Sequence, residues 1–204
     1  MSLLETLKYL PQSDSKLEDL FAYNLDKYLS GDVKLLQQVE VSTICGKYKL
    51  DFVAKVSTGR LVAFECDGAE FHDARRDEWR DAMILGEGQI SVIYRFPGSA
   101  LFYHMEDCLY FLSRWESHLF SPRGLANLKK LASATALNAD KARSFDRVFV
   151  IYKPSESFGP YMMTLERHTI NTPLGKRSFL KHAFEFAQSS GISDLDRIME
   201  QHLA

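Results

Sequence analysis

Leu17, Leu20, Phe21, Leu25 and Tyr28 recur at the spacing of one helix face, and Ser15-Lys16-Leu17-Glu18 has the form of a capping box. A first helix is predicted over 15–29. Gly31-Asp32 ends it, and Leu35 to Val41 then reads as a strand followed by a Ser-Thr turn and Gly46. Two further strands follow as a hairpin, Lys49 to Val53 and Leu61 to Asp67, joined through Ser57-Thr58-Gly59-Arg60. Leu61 to Phe64 is apolar on both faces, which predicts a central strand. The charged, amphipathic stretch from Asp73 to Leu85 has neither Gly nor Pro and stops at Gly86 and Gly88, so it reads as a helix. Ile90 to Phe96 is the next strand. A helix between two strands implies a crossover and parallel pairing. Pro97-Gly98 closes that strand, and Met105 to Phe120 reads as another amphipathic helix.

Beyond Ser121-Pro122-Arg123-Gly124 the pattern is weaker. A helix over about 125–137, strands near 146–153 and 161–168, and one or two helices from 176 onward are predicted. The expected fold class is α/β: a small mixed sheet flanked by helices in 1–120, with an α+β extension in 121–204. That extension either packs on the core or forms a small accessory unit.

Composition narrows this picture only mildly. The 204 residues are 46% hydrophobic, enough to bury a full core, and 25 Lys plus Arg against 27 Asp plus Glu give a net charge of −2. No general basic excess advertises a polyanion partner, so any such site must be a local patch. Cys45, Cys66 and Cys108 form no CxxC pair, which speaks against a disulfide framework or zinc knuckle and suits a reducing cytoplasm. No apolar run nears the roughly 20 residues of a membrane span.

The chemistry lies in the hairpin. Carboxylates inside apolar strands need a reason, and here Asp51 sits on one strand with Glu65 and Asp67 on the next. Strand alternation puts Glu65 and Asp67 on one face, and pairing can bring Asp51 beside them. Such a group repels itself unless it holds a hard divalent cation. His72 follows, with an unperturbed pKa near ~6.5 suited to proton transfer. Arg75, Arg76, Arg80 and Arg95 are candidates for neutralising phosphates. Each has a plainer alternative. Asp51 and Glu65 suit the solvent face of a hairpin, Asp67 a turn before Gly68, His72 and Glu18 helix caps. Arg80-Asp81 suits an ion pair to the acidic cluster, and Arg95 a structural strand end. His104, Glu106, Asp107 and Cys108 resemble a ligand set but are better explained as a helix start.

Taken in order, these features resemble the PD-(D/E)XK nuclease superfamily, in the branch of the very-short-patch repair endonucleases and the DUF559 group. A helix bearing Glu18, the Gln38 to Val41 strand, Gly46 to Phe52, Glu65-x-Asp67-Gly68 with His72, Arg80-Asp81 and Arg95-Phe96 follow that family's order over 15 to about 102. The resemblance implies a restriction-endonuclease-like fold and a metal-dependent endonuclease acting on DNA. It assigns Asp51 and Glu65 as ligands of Mg²⁺ or Mn²⁺, with Glu18, Asp67 and His72 assisting. Asp67 occupies the position of the superfamily's usual lysine, a departure that removes a positive group from the attacked phosphate. Two other readings stand beside it: a catalytically inactive nuclease-fold module that binds nucleic acid or a protein partner, and a metal hydrolase acting on a small phosphate ester or RNA. In the second half, Lys129, Lys130, Lys141, Arg143, Arg147, Lys176, Arg177 and Lys181 are the candidate phosphate contacts.

Overall fold

A computed structural model of the chain describes residues 15–68, 73–153, 160–174 and 178–203. Helix α1 (Lys16–Asp26) is capped by Ser15, whose hydroxyl accepts from the Leu17 N–H. Strands β1 (Lys34–Thr43), β2 (Gly46–Lys55) and β3 (Leu61–Asp67) form an antiparallel meander. Helix α2 (Ala74–Gly86), capped by Asp73, then leads to β4 (Val92–Pro97), which pairs with β3 in parallel as the crossover reading expects.

Beyond β4 the structure adds detail that local pattern does not carry. A short helix, α3 (Gly98–Tyr103), precedes α4 (Met105–Trp115), so the expected helix over 105–120 ends early and closes in a 3-10 turn at Ser117–Leu119. The helix expected over 125–137 is two: α5 (Pro122–Leu131) and α6 (Ala134–Ala139). The break has a cause. Ser133 leaves the helical path to cap α6, and the buried Asp107 carboxylate holds it by accepting from its N–H and its hydroxyl, both at 2.7 Å. Strands β5 (Arg147–Tyr152) and β6 (Tyr161–His168) fall where predicted. They are followed by the two-residue strands β7 (Pro173–Leu174) and β8 (Ser178–Phe179), then α7 (Leu180–Ser190) and α8 (Leu195–Leu203).

Among the described residues the main sheet runs β1-β2-β3-β4-β6-β5, so β3 is central and residues 147–168 continue the same sheet. Strand β6 docks antiparallel against β4 through Ile93↔His168, Tyr94↔Arg167 and Arg95↔Glu166. A mixed α/β sheet with helices on both faces results. One face packs Phe21, Phe52, Phe64, Phe96 and Phe111. The other packs Val53, Ala63 and Ile93 under Trp79, Met83 and Leu180 from α2 and α7. Gly86 serves that second layer as well as ending α2, since any Cβ there would run into the Phe184 ring.

The sheet divides at one place. Pairing of β2 with β3 runs from Lys55↔Leu61 to Phe52↔Phe64 and goes no further, while β3 stays paired with β4 out to Asp67↔Pro97. At the same level Gln38 in β1 has φ of 50°, and the β1–β2 ladder passes from Gln37↔Phe52 to Val39↔Leu50. The pleat changes sides there. Phe52 and Ala54 pack one face of the sheet, whereas Tyr48, Leu50 and Val53 pack the other.

Candidate active site

The opening between β2 and β3 is lined with carboxylates. Continuing the register places Asp51 opposite Glu65, but the backbones have parted, and the Asp51 carboxylate takes the place of a strand partner by accepting the Cys66 N–H at 2.8 Å. Glu18, on α1, reaches the same region and accepts from the Gln38 side-chain amide at 3.0 Å. Asp51, Glu18, Glu65 and Asp67 all lie close enough to Cys66 to reinforce the effect of burial, which raises its thiol well above the ordinary range. Of the carboxylates expected to group there, Asp51 acts directly on Glu65, while Asp67 and Glu18 are linked to them through their common effect on Cys66.

Two arginines hold parts of this group in place. Arg80 on α2 donates to Glu65 Oε1 at 2.9 Å and to the Lys49 carbonyl at 2.8 Å. Arg95 on β4 donates to Asp67 Oδ1 at 2.8 Å. Glu65 is 4% exposed, and burial pushes its carboxyl up to about 8; Arg80 opposes that rise and Asp51 adds to it. The contact with Arg80 and the raised value pull in opposite directions. Both hold together physically, because Oε1 accepts from the guanidinium whether or not the carboxyl carries a proton, and burial sets the proton balance.

Behind these residues lies a second set that the sequence reading did not assign. Arg95 grips Asp81 with two hydrogen bonds of 2.8 and 2.9 Å, and His168 Nδ1 meets the same carboxylate at 2.7 Å. Burial opposes ionisation of Asp81, yet Arg95 and His168 hold it far below the usual carboxylate range. His168 Nε2 lies 3.2 Å from Glu166. Burial disfavours its imidazolium, but the hydrogen bonds to Asp81 and Glu166 outweigh it and push the ring up to about 9, so it is cationic at neutral pH. Asp67, Asp77, Glu78, Arg95, Glu166 and His168 border a cavity of about 220 Å³ beside Gly68. Burial raises Glu78 there. The one sequence hint of this set is Glu166, Arg167 and His168 closing an otherwise alternating strand.

The proposed phosphate contacts divide. Arg95 is 5% exposed and turned into Asp81 and Asp67, and Arg80 is turned into Glu65. This corrects the expectation that these two face a phosphate and matches the ion-pair alternative, since buried carboxylates draw guanidinium partners inward. Arg76 is exposed and donates to Asp196, while Arg75 is exposed on the first turn of α2. In the second half, Arg143 pairs with Asp140, Arg147 with Glu166 and Lys181 with Glu185, whereas Lys129, Lys130 and Lys141 are exposed. His72, Lys176 and Arg177 lie outside the described residues.

Hard carboxylate oxygens are the donor type that Mg²⁺ takes, and Asp51 and Glu65 are adjacent. Among the described residues, however, no three His, Cys, Asp or Glu side chains stand together as a ready cage, because Asp51 is turned to Cys66 and Glu65 to Arg80. The two carboxylates are of the donor type the ion takes, without a closed shell around them among the described residues. No helix among the described residues is long and apolar enough to cross a membrane.

No protein-family model, curated protein or solved structure matches the chain.

Proposed function

We propose that the chain is a divalent-cation-dependent endonuclease acting on DNA in the cytoplasm, centred on Asp51 and Glu65 with Glu18 and Asp67 beside them. The observation that carries this reading is the divided sheet. Glu18, Asp51, Glu65 and Asp67 all act on the buried Cys66 thiol beside that opening, and Arg80 and Arg95 pair with Glu65 and Asp67. A pleat that breaks to place an acid between strands, beside a buried acid with its carboxyl raised to about 8, is costly unless the charge is used. The ordered motifs over 15 to about 102 support the same reading.

Asp51 and Glu65 are the residues that would hold Mg²⁺ or Mn²⁺. A cation bound there supplies charge neutralisation at a phosphoryl oxygen and a nucleophilic water at neutral pH. The chain's own residues have separable tasks. Arg80 orients Glu65, Arg95 orients Asp67, and the Asp81-His168 pair behind them fixes Arg95. His72 is the group we assign to proton transfer or water positioning.

A second reading has its own observation. Arg80 and Arg95 already place cations on Glu65 and Asp67, as a catalytically inactive nuclease-fold module would, keeping the scaffold to bind nucleic acid or a protein.

One assay separates the two. Supercoiled, linear and single-stranded DNA are incubated with Mg²⁺, Mn²⁺ or EDTA, using the unaltered chain and its Asp51→Ala and Glu65→Ala variants. Cutting that needs metal and both acids is the expected result. DNA binding without cutting under any condition, or cutting unaffected by both substitutions, overturns the nuclease assignment.

A further inference from the structure

A cavity of about 880 Å³ stands apart from the acidic one. It lies between the α3–α4 junction, α6 and the β5–β6 hairpin, and its walls include Tyr103, His104, Asn138, Tyr152, Lys153 and Tyr161. That volume is in the range of small-molecule sites, roughly 300–1,000 Å³.

The walls are built for flat rings. His104 stacks on Tyr152 with centroids 3.6 Å apart and planes within 4°, and Tyr161 continues the group at 5.5 Å from His104 and 6.1 Å from Tyr152. The polar ends of these rings are tied outside the stack. Tyr152 donates to Asp107 at 2.6 Å, and the Tyr161 hydroxyl meets that of Ser99 at 2.7 Å. With its phenols anchored, the stack is rigid and presents ring surface. Tyr103, 55% exposed, adds a further ring at the mouth.

The electrostatics point the same way. Asp107 is the carboxylate nearest the stack, and it is buried and spent on Tyr152 and Ser133. Burial lowers His104, Asp107 opposing, which disfavours a charge on the stacked ring. Among the described lining residues Lys153 carries the charge, and Asn138, exposed, brings an amide whose Oδ1 accepts from Lys141 at 3.2 Å. Aromatic faces, one amide and one ammonium form a complement to a planar heterocycle carrying a phosphate.

Position ties the cavity to the acidic centre. Gly98 abuts Asp67 and Gly68 so closely that a Cβ built on it would stand 3.0 Å from the Asp67 carbonyl, and the next residue, Ser99, meets Tyr161 in the cavity wall. Two consecutive residues after β4 therefore touch the end of β3 and the cavity wall in turn.

From these observations we infer that the aromatic cavity is a nucleobase-binding site that takes an unstacked base of a single DNA strand, with Lys153 against the adjoining phosphate. The inference draws on the nuclease reading for its choice of strand, and it makes the substrate of that centre a strand with an unpaired base near the scissile bond.

The test measures binding in EDTA, where cleavage plays no part. Fluorescently labelled dT15, a matched duplex and free dAMP are titrated against the unaltered chain and its Tyr103→Ala, Tyr103→Phe and Lys153→Ala variants, all at exposed positions. The expected result is that dT15 binds better than duplex, that Tyr103→Ala weakens dT15 about tenfold, that Tyr103→Phe restores it, and that Lys153→Ala weakens it severalfold. If dAMP binds with the same dependence on Tyr103, the site accepts a free nucleotide as well as a strand; if only dT15 does, it needs the strand, and both outcomes support a base site. Affinity for dT15 untouched by Tyr103→Ala and Lys153→Ala, or a cavity that takes up an apolar dye and excludes both nucleotide probes, overturns the inference. Failure of the nuclease reading shows differently, as loss of cutting in the metal assay with Tyr103-dependent base binding intact.

Discussion

Two sets of charges lie back to back at the end of this sheet, and they are built on opposite terms. In the inner set, Asp81, Arg95, His168 and Glu166, each charge meets a counter-charge at hydrogen-bond distance, and Asp81 is fully buried. In the outer set, Arg80 donates to Glu65 and Arg95 to Asp67, the Asp51 carboxylate accepts the Cys66 N–H, and burial raises the Glu65 carboxyl to about 8. Burial alone therefore does not separate the two. What separates them is the direction of the shift: paired charges hold Asp81 ionised in the inner set, whereas burial outweighs Arg80 at Glu65 in the outer one.

Breaking the inner set should cost most. Asp81→Asn leaves Arg95 buried beside a neutral amide and removes the counter-charge of His168, so a loss of roughly 3–5 kcal/mol is expected in denaturant unfolding. A change under 1 kcal/mol would mean that this set is not the closed network its geometry describes. The pH dependence of stability comes next. His168 is pushed from 6.5 up to about 9 in the folded chain. Its contribution is therefore fully present below about pH 6.5 and is lost as pH rises through 9, an effect on the order of 3 kcal/mol. Thermal melts should fall across that window, and His168→Gln should flatten this part of the fall; an unchanged slope in the variant would place the titration elsewhere. The smallest effect belongs to the outer set. Glu65→Gln keeps an oxygen for Arg80 and mimics the protonated acid, so stability near pH 4.5 should move by less than about 1 kcal/mol. As pH rises from 4.5 to about 8 the variant should become the more stable of the two, because the folded carboxyl keeps a proton that the unfolded chain releases, and the difference should level off above pH 8. A large loss at pH 7 would move Glu65 into the structural set.

Several elements could be read directly from local pattern. Helix α1 with its Ser15 cap, the β2–β3 hairpin, α2, β4 and the β5–β6 pair all follow from periodicity and punctuation within one segment. The break at Ser133 could not, because Asp107, far back in α4, decides it. Nor could the closing of α4 at Trp115, or α3, which begins where Pro97-Gly98 signals only a stop. The candidate site divides along the same line. Asp51, Glu65 and Asp67 were legible because acids inside apolar strands are conspicuous. Asp81 was read only together with Arg80, as an ion pair to the acidic cluster, since one sequence cannot tell that its helix face turns toward Arg95. Glu166 and His168 were hidden because β6 inserts beside β4 from a distant part of the chain.

By itself the sequence determined the alternation of helices and strands, the placing of acids on neighbouring strands and the near balance of charge. These are properties of spacing, and spacing is local. Only the tertiary structure decided that β2 and β3 part after Phe52, that Arg80 and Arg95 turn inward, and that His104, Tyr152 and Tyr161 meet in the wall of one cavity. Each of those depends on which distant segment arrives as a neighbour. A buried charge accepts whichever partner the packing of the sheet brings within reach.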